Sequence, residues 1–102
     1  MRGERKSMPE SYDELMGKVL LIGLSYYSQD GEFIEDKQLY GRVTVADDGC
    51  ITIMQVNGEE FSIPPDLSAI EIAAPGDYTL RSTNEVVRNP DYLASYSVTL
   101  PE

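Results

Sequence analysis

Apolar and polar residues alternate with a period of two through most of the chain after Gly17. In KVLLIGLSYY (18–27) the even positions form one apolar face, and Val19 and Leu21 make the other face apolar as well. A period of two is typical of β-strands, and an apolar second face indicates burial on both sides. The same alternation recurs in QLYGRVTVA (38–46), CITIMQV (50–56), EEFSI (59–63), AIEIA (69–73) and YLASYSVTL (92–100), and DYTL (77–80) with EVV (85–87) is typical of a hairpin. The pattern therefore predicts roughly six to eight short strands and an all-β fold.

Helical signals are confined to the region before Gly17. PESYDELMGK (9–18) predicts a short helix, because proline suits a first helical turn and Gly17 provides a stop. We expect residues 1–8 to form a disordered N-terminal arm and residues 9–102 to form a single β-barrel domain.

Turn residues separate the predicted strands. Asp30-Gly31 and Pro75-Gly76 are turn signals, and Asn57-Gly58 predicts a two-residue type I′ hairpin. The double proline Pro64-Pro65 cannot donate to a sheet ladder, so it ends the strand that contains Phe61. Asp66 can cap the turn that follows, and this segment therefore predicts a 3₁₀ corner rather than a proline-rich ligand.

The alternation also predicts which side chains form the core. Each predicted strand, and the corner after the double proline, supplies apolar residues to one common face. The expected core comprises Leu20, Ile22, Leu24, Val43, Val45, Ile51, Ile53, Phe61, Ile63, Leu67, Ile70 and Ile72.

The order of these elements over residues 18–73 resembles a small antiparallel SH3-like barrel. A first strand, a long excursion (28–37), a three-stranded meander, a 3₁₀ corner and a closing strand follow one another, with an extra C-terminal hairpin. The segments GKVLLIGLSYY, GEEFSIPPDLSAI, PGDYTLRSTNEVV and NPDY make the chain similar to a family of small uncharacterised bacterial proteins. That resemblance implies a compact cytoplasmic domain and no particular activity.

The charge of the chain is strongly acidic and limits its partners. From Ser7 onward there are five basic against seventeen acidic residues, a net charge of −12. Such a surface repels nucleic-acid phosphates and anionic membranes, so we expect neither as a partner. Two interpretations of the acids remain open: they serve solubility alone, or they attract a protein with a basic surface.

Few residues offer catalytic or metal-binding chemistry. The chain has no histidine and no tryptophan, and its single cysteine, Cys50, has no basic neighbour in sequence. We expect no catalytic residues, no metal site and no cofactor, and the protein is predicted not to be an enzyme. One cysteine and no apolar stretch after the first basic residues predict a cytoplasmic protein.

Tyrosine is abundant, with seven residues, and two of them flank an acidic segment. We expect an exposed partner-binding patch that contains Tyr27, Tyr40, Asp30, Glu32, Glu35 and Asp36. The leading hypothesis is a non-enzymatic acidic protein-binding module, for example an inhibitor or immunity-type protein for a basic partner. A small hydrolase or carbohydrate-binding protein that uses the loop carboxylates is one alternative, and a structural subunit that pairs through an edge strand is another. The sequence leaves the partner and the oligomeric state open.

Overall fold

The computed structural model describes residues 9–81 and 83–101, so the arm expected at residues 1–8 lies outside the described residues. Eight strands and two 3₁₀ turns form the described chain, and the predicted all-β class is confirmed. The strands are β1 (Val19–Tyr27), β2 (Phe33–Ala46), β3 (Ile51–Met54), β4 (Glu60–Ile63), β5 (Ile70–Ile72), β6 (Asp77–Thr79), β7 (Val86–Arg88) and β8 (Tyr92–Thr99). The 3₁₀ turns are Tyr12–Leu15 and Leu67–Ala69.

Six of the strands form one open sheet in the order β4-β3-β2-β1-β8-β5, and β6 pairs with β7 in a separate two-stranded sheet. The meander from β1 to β4 is antiparallel throughout, as the sequence predicts. β8, however, lies between β1 and β5 and runs parallel to β1, from Leu20↔Tyr92 to Tyr27↔Thr99. The expected closed barrel is therefore replaced by an open sheet, because β8 occupies the edge of β1 that a closing strand would use.

The main core lies on one face of the large sheet. Leu20, Ile22 and Leu24 of β1 are at most 5% exposed there. The first 3₁₀ turn covers this face with Leu15, which is fully buried, and Tyr12 donates a hydrogen bond of 2.9 Å to the carbonyl oxygen of Pro65. The short helix predicted before Gly17 is thus a single 3₁₀ turn that is held by tertiary contacts, as expected for so short an element.

A second, smaller core lies on the opposite face of β1. Leu21 packs there against Leu80 and Val87, which the chain around β6 and β7 brings over the sheet. This cluster explains why both faces of β1 are apolar at its start.

Most of the predicted core residues are buried, and the exceptions have local causes. Val45 is 37% exposed because a bulge between Val43 and Val45 changes the alternation of β2. Ile72 is 40% exposed at the end of β5, a three-residue strand at the edge of the sheet. Phe61 and Leu67 are half-buried and pack against the core.

The corner after β4 forms as predicted, but the Asn57-Gly58 turn does not. β4 ends at Ile63, and a carboxylate oxygen of Asp66 accepts a hydrogen bond from the backbone N–H of Ser68. In the hairpin between β3 and β4, Gly58 has φ 88° whereas Asn57 does not have a positive φ. A type I′ turn needs positive φ at both residues, so the loop is instead a wider turn, closed by the N–H of Gln55 donating to the carbonyl of Glu59.

Gly41 is required by the close approach of β2 to the end of β3. A Cβ atom at this position would lie 2.3 Å from the carbonyl oxygen of Met54, which is part of the backbone and cannot swing away. Gly23, on β1, would place a Cβ at an ordinary 3.8 Å from the hydroxyl of Ser95.

We predict that Gly41→Ala lowers the free energy of unfolding by about 3 kcal/mol, the upper end for overpacking, because β3 must move away from β2. Gly23→Ala is the matched control and is expected to change stability by less than about 1 kcal/mol. Urea denaturation followed by circular dichroism measures both. Equal midpoints for the two variants would contradict the close approach.

Candidate functional site

The β1–β2 hairpin continues beyond the rest of the sheet. β3 pairs with β2 only between Arg42 and Ala46, and β5 pairs with β8 only between Tyr92 and Ala94. Past these points three strands of the described residues continue the sheet, with β1 between β2 and β8. The connection between β1 and β2, together with residues 26–27 and 33–35, is called the hairpin end below.

The turn in the hairpin end is short and well hydrogen-bonded. The backbone N–H of Ser28 donates to the carbonyl of Glu32 over 2.8 Å, and the N–H of Gly31 donates to the carbonyl of Ser28 over 3.0 Å. The hydroxyl of Ser28 also accepts a hydrogen bond of 3.1 Å from the N–H of Glu32. Gly31 has φ 88°, a conformation that favours glycine. The long excursion predicted for residues 28–37 is therefore a five-residue connection followed by the first residues of β2.

Two apolar side chains stand out at the hairpin end. Phe33 is 58% exposed and Ile34 is 48% exposed. Tyr27 is half-buried, and its ring meets Phe33 edge to face with the ring centroids 5.9 Å apart. The predicted patch omits Phe33 and Ile34, because both fall within the excursion expected at residues 28–37. Two adjacent bulky apolar residues between acids were the signal that could have identified them.

Three of the four predicted acids lie at the hairpin end. Asp30, Glu32 and Glu35 are all exposed there, and Glu35 is the cross-strand neighbour of Tyr26. They flank Phe33 and Ile34 in sequence, and Glu35 lies on the face of the sheet opposite Tyr27 and Phe33, so the hairpin end carries both apolar surface and negative charge.

Asp36 lies one residue beyond the hairpin end, on the face of the sheet that Tyr27 and Phe33 share, and it already has partners. It is the cross-strand neighbour of Ser25, whose hydroxyl donates to its carboxylate over 2.9 Å. A guanidinium nitrogen of Arg81 lies 3.6 Å from the second carboxylate oxygen. The arginine is 81% exposed, so this ion pair contributes little stability. The positive charge of Arg81 nevertheless offsets part of the negative charge of Asp36. We therefore do not count Asp36 among the acids of the hairpin end.

Tyr40 lies far from the hairpin end. It is seven residues along β2 from Phe33, or roughly 23 Å at the usual rise of a strand. Its ring packs beside Leu21 in the second core, and its hydroxyl donates to a carboxylate oxygen of Glu85 over 3.4 Å. The structure thus places Tyr27, Asp30, Glu32 and Glu35 at the hairpin end, with Glu35 on the opposite face from Tyr27. Asp36 lies just beyond it on the face of Tyr27, and Tyr40 lies far along β2.

The environment of Tyr40 changes its proton affinity. Burial raises the pKa of the Tyr40 hydroxyl above its ordinary value, and the negative charge and hydrogen bond of Glu85 raise it further. The folded state therefore holds this proton more tightly than the unfolded state. The resulting stabilisation is fully present below the unfolded pKa of about 10 and is lost as the pH rises through the folded pKa.

Four grooves of the described chain each have at most one carboxylate in their lining. A groove of about 170 Å³ between β1, β2 and β8 has a single carboxylate, that of Asp36, in its lining. A larger groove of about 400 Å³ is lined by apolar and polar groups that include Tyr40, Met54 and Val56. In residues 9–81 and 83–101, no group of three histidine, cysteine or acidic side chains could hold a metal ion.

We predict that Glu85→Gln lowers the pKa of Tyr40, because the charge that opposes its ionisation is removed while its burial is kept. The measurement is an NMR titration of the Tyr40 ring carbons, assigned with Tyr40→Phe. Glu32→Gln, which removes the same charge at the hairpin end, is the control and should leave that titration unchanged. A Tyr40 titration that is identical in the wild type and Glu85→Gln would contradict the contact.

No helix in the described part of the chain is long and apolar enough to cross a membrane. Comparison with family models, curated proteins and solved structures found no match to this chain.

Proposed function

We propose that the protein is a non-enzymatic binding module that recognises a protein with a basic surface through its hairpin end. The observation that carries this proposal is the exposure of Phe33 and Ile34, 58% and 48%, in a segment whose acids Asp30, Glu32 and Glu35 are exposed as well. An inhibitor or immunity-type protein for a basic partner is one such module.

At an interface of this kind the apolar groups mainly determine affinity, and the charged groups mainly determine association rate and specificity. Exposed aromatic and aliphatic side chains supply most of the binding free energy once they enter a pocket on the partner. The surrounding carboxylates accelerate encounter with a Lys- or Arg-rich surface and reject acidic partners. Phe33 and Tyr27 additionally offer ring faces to such cations, worth roughly 0.5–2 kcal/mol for each contact.

The hairpin end is also preorganised for binding. The hydrogen bonds around Ser28 fix the turn, and the edge-to-face contact fixes the two rings. A partner therefore has little backbone entropy to remove on docking, which favours affinity for a given contact area.

The two finer proposals from the sequence concern fold and location. We place the chain among SH3-like folds whose barrel is opened by an inserted strand, since β5 follows the 3₁₀ corner and runs opposite in direction to β1. We assign it to the cytoplasm on its single free cysteine, Cys50. The hydrolase alternative gains no support from the grooves, because acid–base pairs need two carboxylates facing one cleft.

We predict that charge reversal at the hairpin end weakens binding of a basic probe. The probe is a synthetic peptide in which arginines alternate with leucines, titrated into ¹⁵N-labelled protein. Amide shifts should concentrate in residues 27–35, and the double variant Glu32→Lys, Glu35→Lys should weaken binding by about tenfold or more. Phe33→Ala should weaken it without altering its salt dependence, because that residue contributes no charge.

The double variant Asp47→Lys, Asp48→Lys is the matched control, since it makes the same charge change in the exposed turn between β2 and β3. If both double variants weaken the peptide equally, net charge alone explains the binding and the proposed site is wrong. The same three proteins can be used as baits in a lysate of the native host. A physiological partner should be retained by the wild type and the control and lost with the hairpin-end variant.

A further inference from the structure

The C-terminal part of β8, residues 95–99, is an open edge of the sheet within the described chain. β5 pairs with β8 only as far as Ile70↔Ala94, and the chain before β5 leaves the sheet through the second 3₁₀ turn, whose Leu67 lies against the main core. On the other side, β8 is fully paired with β1 as far as Thr99. Residues 95–99 therefore have a neighbouring strand on one side only, within the described chain.

The backbone groups of this edge are correctly placed for a further strand. The N–H of Leu100 donates to the carbonyl of Tyr27, on the side of β1. Backbone groups of successive residues in a strand point to alternate sides. The N–H and C=O groups of Ser95, Ser97 and Thr99 therefore point away from β1, and in the described chain they have no ladder partner on that side.

The two open edges of the three-stranded region differ in charge. The free part of β2 carries Glu35, Asp36 and Lys37, and charged residues of this kind protect edge strands against pairing. Residues 95–99 read Ser-Tyr-Ser-Val-Thr and contain no charge. In a chain whose net charge is −10, an uncharged free edge is a place where another acidic chain can approach.

We propose that β8 pairs with β8 of a second copy of this chain, antiparallel and centred on Ser97. The residue types are nearly symmetric about that position: Ser95 and Thr99 are small hydroxyl residues, while Tyr96 and Val98 are bulky and half-buried. An antiparallel pair sets Ser97 opposite Ser97 of the second copy, hydroxyl opposite hydroxyl, and Tyr96 opposite Val98. Hydroxyl pairs and aromatic–β-branched pairs are both favourable across strands.

Such a pairing has a two-fold axis and a defined size. The three outward-pointing residues exchange about six backbone hydrogen bonds with the second copy, two for each opposed pair. The strand cannot extend the ladder far, because Pro101 lacks the N–H that a continued ladder needs. The contact is therefore smaller than the standard interface of about 1,600 Å², which predicts a weak dimer.

The dimer and the proposed binding of a basic partner are expected to respond to salt in opposite directions. Acids beside the edge, such as Asp66, whose charge reaches Tyr96 and adds to the effect of burial in raising its pKa, repel their counterparts in the second copy. Added salt screens that repulsion and strengthens the dimer, whereas it weakens binding of a basic partner at the hairpin end. Either proposal can thus fail without the other.

Sedimentation velocity of the full chain from about 10 to 500 µM, at about 0.02 and 0.5 M sodium chloride, tests the dimer. We expect the sedimentation coefficient to rise with concentration, and to rise further at high salt. Ser97→Lys should raise the dissociation constant by about tenfold or more, because two ammonium groups would face each other at the axis. Thr79→Lys, an equally exposed strand position on β6, is the matched control and should still dimerise.

An equimolar mixture of two Ser97 variants distinguishes loss of the dimer contact from loss of the folded structure. Ser97→Asp and Ser97→Lys should each be monomeric alone, and an equimolar mixture should form a heterodimer because opposite charges then meet at the axis. A wild type that stays monomeric at both salt concentrations overturns the proposal. So does a dimer that Ser97→Lys leaves unchanged, or a mixture of the two variants that remains monomeric while both keep wild-type unfolding midpoints.

Discussion

Parallel pairing between β1 and β8 determines the rest of this structure. It makes β1 a central strand with neighbours on both sides, and the chain between the antiparallel neighbours β5 and β8 passes over one face of the sheet instead of forming a tight hairpin. That crossing segment carries β6 and β7 and covers Leu21 with Leu80 and Val87. Without it, the second apolar face of β1 would be exposed to solvent. The β1–β8 pairing and the segment that carries β6 and β7 together bury both apolar faces of β1.

The same pairing separates the sheet into two regions with different properties. Where all six strands meet, Ile22 and Ile53 are completely buried and the backbone is closely packed around Gly41. Beyond that region only three strands continue, and they expose Phe33 and Ile34 at one end and the free edge of β8 along one side. The two proposed interaction surfaces lie where the sheet is narrowest, because the apolar residues of the wider region are buried within the chain.

Sequence periodicity predicted the strands and most of the core, but not which strands are neighbours. Alternation shows which residues of a strand share its buried face, so it predicted the burial of Leu20, Ile22 and Leu24. It does not detect a bulge, which is why Val45 was wrongly placed in the core. Strand order depends on contacts between distant segments, so the insertion of β8 left no signal in any local pattern. The distance of Tyr40 from the hairpin end was not predicted for a related reason, because its hydrogen-bond partner Glu85 comes 45 residues later in the chain.

The position of β8 in the chain has a consequence for synthesis. The two strands of the central parallel pair are separated by more than 70 residues, as the contact between Val19 and Asp91 illustrates. A ribosome must therefore release nearly the whole described chain before β1 acquires its second neighbour. Until then the β1–β4 meander exposes an apolar strand edge, a state in which nascent chains aggregate or require chaperones. Pairing over such a distance also predicts slow folding, since loop closure precedes the contacts that stabilise it.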